Sequence, residues 1–123
     1  MRRKHRELLA WQHAIGLVTE IYRLTSTFPD SERFGLTAQM RRAAISVPSN
    51  IAEGAARLGA KEFLHFLGIA RGSLSEIDTQ LVIAGELGYV ADVAETVGME
   101  EQINNTFGLL NGLINSLKRA ATP

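Results

Sequence analysis

Residues 63–84, FLHFLGIARGSLSEIDTQLVIA, decide the fold of this 123-residue chain. From Phe63 through Leu74 to Ala84, apolar side chains recur at steps of three and four. A helix completes a turn every 3.6 residues, so this spacing places them on one face of an α-helix. The segment is therefore predicted to be one long helix that ends at Gly88, a residue suited to a helix C-terminus.

The same spacing predicts three more helices. The predicted ranges are about 8–27, 37–58, 61–87 and 92–119, after a basic arm at 1–7. Pro29 follows the first helix, Gly59 is the predicted stop of the second, and Asp92 is the predicted N-cap of the fourth. The first helix carries two apolar rows, and both are expected in its buried face. They are Leu8, Trp11, Ile15, Val18 and Tyr22, and beside them Ala14, Leu17, Ile21 and Leu24.

No stretch of the chain shows the alternation of a half-buried strand, so the fold class is predicted to be all-α. Long helices with short connections favour an up-down-up-down antiparallel four-helix bundle. A length of 123 residues suits one domain, so residues 1–123 are predicted to form a single folding unit.

The stretch SVPSNIAEG, residues 46–54, places a proline inside the second helix. Because Pro48 lacks an N–H and its ring presses on the preceding turn, helix 2 is predicted to be kinked there. The apolar positions stay in phase across the proline, which favours one continuous helix. The alternative is a helix that stops at Val47 and restarts, with Asn50 and Glu53 forming a capping box.

Composition excludes several classes of chemistry. The chain has no cysteine, so a disulfide scaffold and a thiol nucleophile are excluded, and a reducing cytoplasm is expected. No apolar run is long enough for a membrane span, and the basic start leads into no signal-peptide core.

Catalytic patterns are missing as well. The three histidines show no metal-ligand spacing, and no serine lies in a nucleophile-elbow context. The expectation is a protein that is not an enzyme, with no catalytic residue, no metal, no cofactor and no small-molecule substrate.

Charge is balanced overall but uneven along the chain. Residues 1–71 hold 11 basic and 6 acidic side chains, whereas residues 72–123 hold 2 and 7. This asymmetry either builds a basic face for a polyanion or leaves two solvated helix faces of opposite sign.

Basic side chains occur in a terminal arm and on helices 2 and 3. The candidate nucleic-acid-binding residues are Arg2, Arg3, Lys4, Arg41, Arg42, Arg57, Lys61 and Arg71. Phosphate binding by such residues is salt-dependent, and replacing Arg41 and Arg42 is expected to weaken it for all sequences alike. The alternative for the arm is a disordered, solubilising tail. No aromatic residues alternate with the basic ones, so sequence-specific single-strand readout is not indicated.

Small and polar residues on helices 2 and 3 suggest close approach of another subunit. The candidate oligomer-interface residues are Ser46, Asn50, Glu53, Gly54, Gly68 and Gly72. The alternative is a solvated face with a local Glu53–Arg57 pair, which stabilises a helix by only a few tenths of a kcal/mol.

Three stretches carry a family resemblance: AWQHAIGLVTEIYRLTSTFP, FGLTAQMRRAAISVPSNIAEGAAR and KEFLHFLGIARGSLSEIDTQLVIAGELGY. The chain resembles the four-helix bundle proteins first noticed as products of intervening sequences in bacterial 23S ribosomal RNA genes. That family is similar in fold to the accessory protein of diversity-generating retroelements, a basic pentamer that binds nucleic acid and a reverse transcriptase. The resemblance implies a bundle, a homo-pentamer, nucleic-acid binding and no catalytic residue, although this chain is neutral overall.

The function hypothesis is a non-enzymatic homo-oligomeric bundle of the cytoplasm that acts as a nucleic-acid-binding or accessory module. Its partners would be itself, RNA or DNA, or a protein that handles nucleic acid. The alternative hypothesis is an oligomeric protein–protein scaffold without nucleic-acid binding.

Overall fold

The computed structural model describes residues 3–121. It contains α1 (Leu9–Thr25), α2 (Leu36–Ala55), α3 (Ala60–Glu86) and α4 (Val93–Ala121). Two short 3-10 turns, Lys4–Glu7 and Asp30–Glu32, precede α1 and α2. No strand occurs in this part of the chain, which confirms the prediction of an all-α fold.

Each helix packs against two neighbours, in the cyclic order α1, α2, α3, α4. Between residues 3 and 121 no Cα atoms of the diagonal pairs approach within 8 Å of one another, as in a four-helix bundle. The largest fully buried apolar side chains include Leu17, Ile21, Met40, Ile51, Leu67, Leu74, Ile77, Ile103 and Leu110. Burying one such side chain contributes about 1.5–3 kcal/mol, so this shared core is the main stabilising contact of the bundle.

Only one of the two apolar rows of α1 is fully buried. Leu17 and Ile21 are 1% and 0% exposed, whereas Ile15 and Tyr22 are 41% and 39% exposed. The expectation that both rows are buried is therefore wrong for Ile15 and Tyr22, whereas Leu8, Trp11 and Val18 of the same row are half-buried and pack against the core. The reason is geometric: α1 lies between α2 and α4, and this row lies at the edge of the face that the two neighbours cover.

Hydroxyl groups end α1 slightly earlier than predicted. The side chains of Thr25, Ser26 and Thr27 donate to the carbonyls of Ile21, Arg23 and Leu24 at 2.7, 2.6 and 3.0 Å. Such bonds offer the carbonyls an alternative to the helical ladder. The helix accordingly ends at Thr25 rather than near residue 27.

The connection between α3 and α4 is built as the sequence predicts. Gly88 has a φ of 79°, and the N–H groups of Gly88 and Tyr89 donate to the carbonyls of Gly85 and Ala84. This pair of bonds is a Schellman motif, so Gly88 closes α3. The Asp92 carboxylate accepts from the Ala94 N–H at 2.9 Å, which confirms Asp92 as the N-cap of α4.

Helix α2 is continuous through Pro48. The Asn50 side chain donates to the Ser46 carbonyl at 2.8 Å, one turn back, so it does not cap a restarted helix. The continuous-helix interpretation is therefore correct. The up-down-up-down order and a bend at Pro48 stay predictions.

The end of α2 differs from the prediction. The helix ends at Ala55, where the last turn tightens through an N–H of Arg57 that donates to the Gly54 carbonyl at 3.1 Å. Gly59 has extended backbone and is the N-cap of α3. The prediction that Gly59 stops α2 is thus wrong, because the chain turns in the three residues before it.

Candidate nucleic-acid interface

The structure separates the predicted basic residues into two groups. Arg3, Lys4, Arg57 and Lys61 lie at one end of the bundle, near the start of α1 and the α2–α3 connection. The others are elsewhere: Arg41, Arg42 and Arg71 lie on α2 and α3, away from that connection. Arg2 lies outside the described residues.

We call the first location the basic end and define it as residues 3–8, 53–63 and 114–121. These segments meet where Lys4, Leu8, Arg57, Phe63 and Leu117 line one pocket. The described residues of the basic end carry seven basic and three acidic side chains. A net positive surface at one end of a neutral chain is therefore produced by folding.

The N-terminal turn is held against the bundle. The Gln12 side chain donates to the Arg6 carbonyl at 2.8 Å, and the His5 ring meets Trp11 edge-on at 5.2 Å. The alternative of a disordered tail is thus wrong for residues 3–7. Arg3 and Lys4 consequently have defined positions beside Ala52 and Ala55 of α2.

Sequence reasoning missed two members of the basic end. Lys118 and Arg119 lie in the last turn of α4, next to the Leu117 that lines the pocket. Cations near a helix C-terminus interact favourably with the helix dipole, so their presence has a local reason. Their place beside the start of α1 follows from the packing of α4 against α1, which the positions of the basic residues in the sequence do not show.

The basic side chains differ in how they are engaged. Arg57 pairs with Glu53 at 2.7 Å and Glu62 at 3.9 Å, and its guanidinium lies 4.7 Å from the centre of the Phe66 ring. Lys4 and Lys61 make no ion pair with any described residue and are exposed. These two lysines therefore carry charge that a polyanion can reach.

Arg41 serves the structure of the chain itself. Its side chain donates to the Thr25 hydroxyl at 2.9 Å and the Tyr22 carbonyl at 3.3 Å, and it lies 4.4 Å from the Tyr22 ring centre. These contacts connect α2 to the end of α1. Arg71 donates to Asn111 at 3.1 Å, and Arg42 is exposed beside Glu76 in a polar groove between α2 and α3.

Gly54 is buried against α3 of its own chain. A Cβ there would lie 2.9 Å from both Phe63 Cδ1 and Phe66 Cβ, closer than side chains normally approach. The glycine thus allows α2 and α3 to pack closely, and the structure gives it an intramolecular role. The contacts of Gly54 therefore give no support to its predicted place at an oligomer interface.

The other candidate interface residues lie in different environments. The Ser46 hydroxyl is 2.8 Å from that of Ser73, and Asn50 donates to it at 2.9 Å, so both are engaged between α2 and α3. Glu53 is exposed and pairs with Arg57. Gly68 and Gly72 lie on the outer face of α3, where nothing within 4 Å would meet a Cβ.

An apolar groove between α1 and α2 was not predicted as a site. It is lined mainly by Trp11, Ile15, Val18, Ile45, Pro48 and Ala52. The signal for it was the apolar row of α1 that contains Trp11, Ile15 and Val18, which was predicted to lie in the buried face. We call this feature the α1/α2 groove.

The opposite end of the bundle is acidic, and we define the acidic end as residues 20–36 and 84–97. Its charged side chains are six acidic and two basic. The Tyr89 hydroxyl donates to Glu32 Oε2 at 2.8 Å, and the Leu36 N–H donates to Glu32 Oε1 at 3.1 Å. Both bonds favour the charged carboxylate, the Leu36 bond more strongly, and they lower the pKa of Glu32. The same Glu32 bond raises the pKa of Tyr89.

A protein-family model for 23S rRNA-intervening sequence proteins matches residues 6–112. The chain belongs to that family. No curated protein matches it. The matched region of this family member contains Arg57 and Lys61, whereas Arg3, Lys4, Lys118 and Arg119 lie outside it.

Within residues 3–121, no three histidine, aspartate or glutamate side chains are grouped so that they could hold a metal ion. Among the helices described, none is long and apolar enough to cross a membrane.

Proposed function

We propose that this protein is a non-enzymatic, homo-oligomeric bundle of the cytoplasm that acts as a nucleic-acid-binding or accessory module. The observation that carries the proposal is the basic end, where three separate segments bring seven basic side chains together. Neutralising phosphates with Lys and Arg releases condensed counterions, which drives binding of nucleic acid without reading its sequence.

The arrangement of these charges favours a polyanion over a small anion. The basic side chains are spread over the N-terminal turn, the α2–α3 connection and the last turn of α4. A chain of phosphates can contact several of them at once, whereas a single anion can contact only a few. An assembly of several copies would strengthen such binding further through effective concentration.

The oligomeric part of the proposal is supported by the α1/α2 groove. Ile15 and Ile45 are 41% and 43% exposed there, and a contiguous apolar surface of this kind often marks a protein interface. A second copy offers a suitable surface on the outer face of α3. Gly68 and Gly72 leave open space there beside Ile69, which is 40% exposed. A contact between two different surfaces of the same chain builds rings when the rotation closes.

The first experiment measures assembly and binding together. Size-exclusion chromatography with light scattering is run at low salt with and without a mixed-length RNA. We expect an oligomer, a pentamer on the family resemblance, whose mass increases with RNA. An Ile45→Glu variant is expected to lower the mass by placing a charge in the groove, and Val97→Glu, at a site on α4 that is 46% exposed and outside both proposed surfaces, is the matched control.

The second experiment tests the basic end. Lys4→Gln combined with Lys61→Gln removes two cations that have no ion-pair partner among the described residues. Loss of two phosphate contacts should lower the slope of log affinity against log salt by about 1.5, and should weaken RNA binding at low salt by about tenfold or more. The control is Arg42→Gln with Arg71→Gln, which makes the same change in net charge away from the basic end. Equal losses of RNA affinity in the two double variants would contradict the proposal that RNA binds at the basic end.

A protein–protein scaffold is the second candidate, and the α1/α2 groove with the acidic end favours it. An oligomer that shows no change of mass with RNA or DNA at low salt would support this candidate. It would also overturn the nucleic-acid proposal, because electrostatic binding is strongest under those conditions.

A further inference from the structure

The centre of the basic end is an apolar pocket. Its walls include Leu8, Leu58, Phe63 and Leu117, and Lys4 and Arg57 lie at its margin. The pocket has a volume of about 180 Å³. Pockets that enclose drug-sized ligands measure about 300–1,000 Å³, so this one has room for a small ring system and not for a large ligand.

Leu58 is the most exposed large apolar side chain in the described part of the chain. It lies in the α2–α3 connection and is 105% exposed, so it contributes no burial to the folded chain. Two cations line the same pocket, Arg57 next to Leu58 in the sequence and Lys4 from the N-terminal turn, and Arg57 also pairs with Glu53 and Glu62. An exposed apolar side chain beside these two cations suits a ligand that carries both an apolar face and negative charge.

We propose that this pocket accepts the base of an unpaired nucleotide while the surrounding cations contact the flanking phosphates. The inference rests on the proposed nucleic-acid binding and adds a substrate class to it. The basic end would prefer single-stranded or bulged nucleic acid to a perfect duplex.

The preference follows from what each form of nucleic acid exposes. In a duplex the faces of the bases are stacked on one another, so a protein surface reaches mainly phosphates, sugars and base edges. An unpaired base can leave the stack and bury one face against an apolar side chain. The Leu58 side chain and the Phe63 ring provide such a surface at the centre of the cations.

The pocket also predicts that binding depends only weakly on the base sequence of the nucleic acid. Base identity is read by hydrogen bonds to base edges, and the lining side chains other than Lys4 and Arg57 are apolar. Every base has an apolar face, so each can enter. This agrees with the expectation that sequence-specific single-strand readout is not indicated.

The experiment measures fluorescence anisotropy of the full chain with two RNA probes at one fixed salt concentration. The probes are a mixed-sequence single strand and a duplex with the same number of phosphates. We expect the single strand to bind about tenfold more tightly, from stacking of about one base. A single strand in which abasic sites replace the bases should lose that advantage.

Leu58→Ser is the decisive variant. Because Leu58 is fully exposed, its replacement should not affect folding, and the net charge stays the same. It should weaken single-strand binding about five- to tenfold and leave duplex binding unchanged. The control is Leu87→Ser, at a leucine of the acidic end that is 53% exposed. This variant should change neither single-strand binding nor duplex binding.

The outcomes separate this inference from the proposed function. Equal binding of single strand and duplex, insensitive to Leu58→Ser, overturns the inference and leaves nucleic-acid binding intact. Binding of neither probe at low salt overturns both. Binding of vesicles with anionic lipids that depends on Leu58, while both nucleic acids bind alike, would assign the exposed leucine to a membrane surface and also overturn the inference.

Discussion

The two ends of the bundle are held together in different ways. At the acidic end, the connections are stabilised by specific hydrogen bonds, such as those of Glu32 with Tyr89 and of Asp92 with Ala94. At the basic end, α2 and α3 are joined by close packing at Gly54, and cations such as Lys4 and Lys61 make no ion pair with a described residue. Hydrogen bonds across the connections therefore order the acidic end, whereas the basic end leaves the charges of Lys4 and Lys61 exposed.

The largest expected effect is at Gly54. An alanine there would place a Cβ 2.9 Å from Phe66 Cβ, an atom close to the backbone that cannot move aside cheaply. Overpacking of this kind costs about 1–3 kcal/mol, against about 0.5–1 kcal/mol that alanine gains over glycine within a helix. We expect a net loss in the free energy of unfolding, measured in urea, and a larger loss for Gly54→Leu.

Gly108→Ala is the matched control for this prediction. Gly108 lies in α4 with open space around the position of a Cβ, so alanine should raise the free energy of unfolding by about 0.5–1 kcal/mol. If Gly54→Ala were stabilising to the same degree, the close packing of α2 and α3 at the basic end would be refuted.

A smaller effect is expected at the acidic end from Asp92→Ala. The change removes the carboxylate that accepts from the Ala94 N–H, and loss of an N-cap costs about 1 kcal/mol. Urea unfolding measures this cost, and Asp92→Ser, which keeps a hydroxyl acceptor, should recover most of it. A serine variant as unstable as the alanine variant would show that loss of the N-cap hydrogen bond does not cause the loss of stability.

The smallest effect is expected from Glu32, and it should depend on pH. The pKa of Glu32 is lowered below its ordinary value of 4.5, first by the Leu36 N–H and then by the Tyr89 hydroxyl. A lowered folded pKa means that the stabilisation is present above pH 4.5 and is lost as the pH falls through the folded value. The stability advantage over Glu32→Gln, measured by urea unfolding, should therefore shrink on acidification.

Tyr89, whose hydroxyl donates to Glu32, provides the control. Tyr89→Phe removes the hydroxyl that donates to Glu32, so its difference from the unchanged chain should shrink over the same acidic range. A difference that stays constant down to low pH would show that the charged form of Glu32 is not what the two bonds stabilise.

The helices and their ends were predictable because their causes are local. The spacing from Phe63 to Ala84 predicted α3, and Gly88 and Asp92 were predicted to end α3 and cap α4, as the structure shows. Pro48 was placed in a continuous helix because the apolar positions stay in phase across it. The role predicted for Gly59 was wrong: it was expected to end α2, but α2 ends at Ala55 and Gly59 is the N-cap of α3. In so short a connection, the pattern alone does not tell which residue ends the first helix and which begins the second.

The candidate site was predicted only in part. Arg57 and Lys61 are close in sequence, so their meeting needed no tertiary knowledge. Lys118 and Arg119 are more than 100 residues from Lys4, and only helix packing brings them to the same end. Arg41 was interpreted as free for phosphate, yet it is engaged by Thr25 and Tyr22, since those groups lie on the neighbouring helix.

The sequence by itself determined that this chain is all-α, roughly where its four helices lie, and that Gly88 ends α3 and Asp92 caps α4, because apolar period and capping act within a few residues. Only the tertiary structure decided which apolar row of α1 enters the core, which glycine allows close packing, and which basic residues gather at one end. Those features depend on which helix lies opposite a given face, and the spacing of residues within one helix does not give that partner.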